Sequence, residues 1–167
     1  IERDNRGDFY KTEQSLRLRY TNLLPGEEAL VRRRYTYAAL DVSAYDTMSV
    51  LVRSYASHVD DSTYFVVRFG TDSMGYYEYR TPLDSGWNVA YPWSTPVVID
   101  LRKLSLLKLT LLEQRGDLDT ALIDTHWVID DERNISYGLK GRLNRMPSFS
   151  NIREFFIGVV RPLGSPP

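Results

Sequence analysis

Hydrophobic and polar positions alternate most clearly between residues 64 and 83. Phe65, Val67 and Phe69 alternate with Val66 and Arg68, and Tyr77 and Tyr79 alternate with Tyr76, Glu78 and Arg80. That two-residue period belongs to strands with one buried face. Gly70 and Gly75 bracket Asp72 and Ser73, a composition suited to a turn and to positive φ. The segment therefore predicts two strands joined at residues 71–75. Tyr77 and Tyr79 are expected inward, because burying Glu78 with Arg80 instead would cost several kcal/mol of desolvation that their attraction only partly offsets. Tyr76, Glu78 and Arg80 then face outward, with Glu78 as a surface carboxylate paired with Arg68 or Arg80.

Shorter runs of the same kind fill the rest of the chain. Leu16, Leu18 and Tyr20 alternate with Arg17 and Arg19 and predict a first strand, followed by a turn at Pro25-Gly26. A second strand is expected over 29–37, with Val31, Arg33 and Tyr35 on one face, and a third over 48–55, with Met48, Val50 and Val52 inward. Residues 40–46 connect them. Residues 86–96 form an aromatic, proline-rich loop. A short buried strand follows over 97–101, where Asp100 can cap a helical turn at 101–104. In the leucine-rich run after it, Leu107, Leu109 and Leu111 alternate with Lys108 and Thr110, which favours a strand over a long helix. Further strands are expected over 125–129, 135–143 and 152–160, with a turn at 146–151. About nine short strands without βαβ alternation predict an all-β fold, an antiparallel β-sandwich of jelly-roll type with at most short helical turns. The sandwich is expected over residues 9–162, between linkers at 1–8 and 163–167.

Composition agrees with one folded domain: 167 residues, 43% hydrophobic and 26% charged. With 21 basic and 22 acidic residues the net charge is −1, so no global field recruits nucleic acid or anionic lipid. Arg32, Arg33 and Arg34 are split by alternation between two faces of a strand and make no nucleic-acid site. The absence of cysteine rules out disulfides and cysteine–zinc sites. No apolar run approaches the roughly 18–20 residues of a membrane-spanning helix. The first residue is Ile1, which suggests an internal piece of a larger protein.

Catalytic chemistry is sparse. His58 and His126 stand apart from any nucleophile motif, and there is no glycine loop for phosphate and no zinc spacing. Glu78 and Asp100 are the acids that invite a glycosidase pair, but a carboxylate paired with arginine is the plainer reading of Glu78. Asp60-Asp61 and Asp130-Asp131-Glu132 lack the spacing of a calcium loop. No metal, cofactor or catalytic residue is assigned. The aromatic surface is the stronger candidate: Trp87, Tyr91 and Trp93, with Tyr76 and Tyr77, could stack on sugars, helped by Asn88 and Glu78. The competing reading packs these rings into the core or against neighbouring domains.

Several motifs resemble the SprA family, very large outer-membrane proteins of gliding motility and type IX secretion. Phe9-Tyr10-Lys11-Thr12-Glu13-Gln14-Ser15-Leu16 followed by Leu23-Leu24-Pro25-Gly26 is similar to one segment of that family. Arg68-Phe69-Gly70-Thr71-Asp72 with Tyr76-Tyr77-Glu78-Tyr79 and Pro82-Leu83 resembles its repeated central pattern. Trp93 with Val98-Ile99-Asp100-Leu101 and Leu107-Lys108-Leu109 resembles its next block. Pro147-Ser148-Phe149-Ser150-Asn151-Ile152 and Ile157-Gly158-Val159 resemble its ending. The chain departs from the pattern at Gly75, Arg80 and Arg161. The resemblance implies a non-catalytic, jelly-roll-like extramembrane module in the cell envelope, associated with the outer membrane. Its partners would be other domains or subunits of an outer-membrane translocon, with polysaccharide as the alternative ligand.

Overall fold

The computed structural model describes residues 16–52, 63–83, 96–115, 122–130, 135–142 and 146–163. Eight strands and one helix follow in the order β1 (Glu28–Arg34), β2 (Thr47–Val50), β3 (Tyr64–Asp72), β4 (Gly75–Pro82), β5 (Val97–Asp100), α1 (Leu101–Arg115), β6 (Leu122–Asp130), β7 (Ile135–Arg142) and β8 (Glu154–Val160). Six strands make one antiparallel sheet in the order β1-β8-β3-β4-β7-β6, and β2 pairs with β5 in a second. The last strand returns to lie between the first and the third, a long connection of the kind that builds Greek-key and jelly-roll sandwiches. The fold is an all-β antiparallel sandwich.

The β3–β4 hairpin supplies the centre of the large sheet. Asp72 makes its turn, with Oδ1 accepting from the backbone N–H of Met74 at 2.8 Å and of Gly75 at 2.9 Å. Neither Gly70 nor Gly75 uses the positive φ that glycine permits. Gly70 is needed for close approach instead, since a Cβ there would lie 2.1 Å from the carbonyl oxygen of Gly75.

The core lies on one face of the large sheet, under the β2–β5 ribbon and α1. Phe65, Val67, Phe69, Tyr77 and Tyr79 are buried there as the alternation predicts, and Met48 and Val50 pack against them. The Phe69 ring lies 5.7 Å from that of Tyr77 and 5.8 Å from that of Phe155, and Tyr77 stacks on Phe149 at 4.4 Å. The buried Tyr77 hydroxyl donates to the carbonyl of Pro147 at 2.8 Å, so burying it strands no polar group.

Two element assignments are corrected. Leu107, Leu109 and Leu111 belong to α1, not to a strand. Leu101, Leu104, Leu107 and Leu111 are its buried residues, at steps of three and four that put them on one helical face. Asp100 caps the helix, accepting from the N–H of Arg102 at 2.9 Å. Residues 16–20 are not in a strand; their alternation finds no ladder to join. Where the chain comes into β1 and leaves β8, Gly26 N donates to Arg161 O at 2.6 Å and Arg161 N to Glu27 O at 3.0 Å.

Candidate functional site

The face of the large sheet opposite the core collects the charged groups. Alternation places Arg68 of β3, Tyr76, Glu78 and Arg80 of β4, Glu154 of β8 and Glu28 of β1 on this side. The face is not open to solvent. Glu78 is 0% exposed, and Val66 and Val160 on the same side are buried too. The face was therefore assigned correctly from sequence, but the outward, exposed Glu78 expected there is overturned. Its two oxygens are divided between two arginines: Oε2 accepts from Nε of Arg68 and Oε1 from Nε of Arg80. Because β3 and β4 are central strands, the long side chains of both arginines lie over the carboxylate.

The network continues outward from there. Arg68 also meets Glu28 at 2.6 Å, and its guanidinium stands 5.2 Å above the Tyr76 ring. Burial opposes the Arg68 charge, but the hydrogen bonds to Glu28 and the charges of Glu78 outweigh it and raise the pKa above the usual arginine value. A second buried carboxylate, Glu154, holds Arg34 at 2.7 Å and Arg32 at 3.9 Å. Its Oε2 is buried without a hydrogen-bond donor among the described residues. This chemistry holds strands in register, and its charges are directed at one another.

The proposed sugar-stacking set does not survive on β4. Tyr76 and Tyr77 are buried, and Glu78 is enclosed by arginines, so none of the three offers a surface to a ligand. Trp87, Asn88, Tyr91 and Trp93 lie outside the described residues, as do His58, Asp60, Asp61, Asp131 and Glu132. His126 sits in β6 opposite Leu139. Asp100 is spent on the helix cap, with Arg102 at 3.2 Å. Among the described residues, no group of three or more His, Asp or Glu is gathered as metal ligands.

Alternation in the sequence did not reveal the outer face of α1. Leu106 and Leu109, three residues apart, are 65% and 56% exposed, and Leu112 continues the stripe. The same run contains Leu101, Leu104, Leu107 and Leu111, so leucines surround the helix and only the buried set is explained by the core. Val98 of β5 is also exposed. Among the described residues no helix is long and apolar enough to cross a membrane.

The described residues thus make a β-sandwich with an internal ion network and an exposed leucine stripe on α1. Comparison of the chain with family models, curated proteins and solved structures returned no match.

Proposed function

We propose that this chain is a non-catalytic structural and interaction module of a large bacterial outer-membrane protein resembling the SprA translocon of type IX secretion. The observation that carries the reading is the leucine stripe Leu106, Leu109 and Leu112 on the solvent side of α1. An apolar stripe of this kind on a folded domain marks a place where another protein surface packs. The ordered SprA-like motifs support the same reading, with another part of the translocon at the outer membrane as the partner. The buried ion network suits such a role, since it stiffens the sheet without offering reactive groups.

Site-specific photocrosslinking from position 109, with the protein in its native cell, tests the reading. The expected result is an adduct with an outer-membrane β-barrel component, in the outer-membrane fraction. Recovery of the chain in the cytoplasm, or adducts only with cytoplasmic proteins, would overturn it.

A further inference from the structure

Strand β1 ends the six-stranded sheet, and its outer edge pairs with no strand among the described residues. The β1–β8 register shows which backbone groups stand on that edge. Tyr35 N donates to Arg153 O at 2.8 Å and Arg161 N to Glu27 O at 3.0 Å. In an antiparallel ladder, residues whose N–H and C=O face the partner strand alternate with residues whose groups face away. Ala29, Val31 and Arg33 therefore bond to β8, and the backbone groups of Glu28, Leu30, Arg32 and Arg34 point out of the sheet. Such a row is a template for one more strand.

Side chains determine what kind of strand fits. Arg32, Arg33 and Arg34 are consecutive at the end of β1 and all are exposed. Buried Glu154 tethers Arg34 and, more loosely, Arg32, yet their side chains remain 57% and 52% exposed. The guanidinium groups are thus held in place while much of their surface faces solvent, which lowers the ordering cost of binding an anion. Arg33 lies on the other face, over the Tyr35 ring at 5.5 Å. An added strand would meet positive charge on both of its faces at this end.

We propose that the outer edge of β1 binds an extended acidic segment of a partner protein, which joins the sheet as an antiparallel strand with its N-terminal acidic residues beside Arg32, Arg33 and Arg34. A second copy of β1 fits less well. Antiparallel self-pairing about Val31 sets Glu28 opposite Arg34, but Glu28 already serves Arg68 at 2.6 Å. The inference rests on the strand edge alone and stands whether or not the chain belongs to a translocon.

The test uses the whole chain with the fluorescent synthetic peptide Asp-Glu-Asp-Val-Thr-Val-Thr-Val, and Lys-Arg-Lys-Val-Thr-Val-Thr-Val as its control. The acidic peptide is expected to bind, to weaken with added salt, and to slow hydrogen exchange at the amides of Leu30, Arg32 and Arg34. Leu30→Pro removes one outward donor and leaves the β8 ladder intact, so affinity should fall about tenfold. Arg32→Gln with Arg33→Gln leaves the backbone unchanged and should weaken binding several-fold while flattening the salt dependence. Equal binding of both peptides overturns the proposal. So does a folded monomer that binds neither, which would make the arginines guards against edge pairing. A stable dimer that excludes the peptide would assign the edge to a second copy and overturn it as well.

Discussion

Arg68 on β3 reaches past β8 to Glu28 on β1, two strands away, and closes to 2.6 Å. Its Nε meanwhile serves Glu78 on β4, so one side chain links three strands of the sheet. Removing Glu78 would leave the half-buried Arg68 and Arg80 facing each other's charge across the space of a fully buried carboxylate. Glu78→Ala should cost about 3–5 kcal/mol, the range for breaking a buried ion pair. That is comparable to the roughly 3–5 kcal/mol expected for Tyr79→Ala in the core. Urea melts of the two variants decide: a Glu78→Ala loss under about 1 kcal/mol would make the network no better than a surface pair.

Gly158 occupies β8 where that strand passes β1. A Cβ there would come within 2.0 Å of Ala29 O and 2.9 Å of Leu30 Cα, both backbone atoms that no rotamer change can move. Gly158→Ala should push β1 off the sheet. Hydrogen exchange should then quicken at Ala29, Val31 and Arg33 and stay slow in the β3–β4 hairpin. Unchanged protection in β1 would show that the strands absorb a methyl group.

Burial pushes the Tyr77 hydroxyl pKa up from its ordinary 10.0. Its folded-state pKa lies above the unfolded one, so its contribution to stability is complete below pH 10.0 and is lost as pH rises beyond it. Tyr77→Phe removes this titration. At neutral pH the variant should lose only about 0.5–1.5 kcal/mol, because Pro147 O keeps its second donor, Lys108 Nζ at 2.9 Å. Comparing urea midpoints at neutral pH and above pH 10 should show a shallower alkaline decline for the variant than for the parent. An identical decline would assign the alkaline loss to other groups.

Asp100 ends β5 and caps α1. Burial raises its pKa, but hydrogen bonds and charge from Arg102 with the N–H of Lys103 outweigh it, and the carboxyl stays below its usual value of 3.8. Its stabilisation is present above that value and is lost as pH falls through the lower, folded-state pKa. Asp100→Ala should cost about 1 kcal/mol, as for loss of a helix cap, and the loss should shrink in strong acid. Thermal melts at neutral and acidic pH measure both effects.

How far the sequence could be read depended on how local each signal was. Tyr77 and Tyr79 could be placed in the core because the period of two acts within one strand. The depth of Glu78 could not, because it depends on Arg68 ten residues earlier being drawn alongside by the hairpin and on both strands lying mid-sheet. In α1 the leucines carried two patterns at once. Leu101, Leu104, Leu107 and Leu111 spelled a helix, while Leu109, which the core does not use, completed a false alternation with Leu107 and Leu111. The alternation of residues 16–20 was equally misleading, since a strand also requires a neighbour with free hydrogen-bonding groups. The β1 edge became legible only once the strand order was known, because consecutive arginines do not reveal which side of a strand is left unpaired.

The backbone pairing of Gly26 and Glu27 with Arg161 brings the incoming and outgoing chain together at one end of the β1–β8 ladder. Tension applied through those two points acts across the ladder and not along it. It would load one pair of hydrogen bonds at a time, starting at Glu27 and Arg161 and moving toward Arg34 and Glu154. The domain should therefore open under a pull like a zipper, at low force and from a defined end. The Arg68–Glu28 link would break early, and the β3–β4 hairpin with Glu78 between Arg68 and Arg80 would yield later.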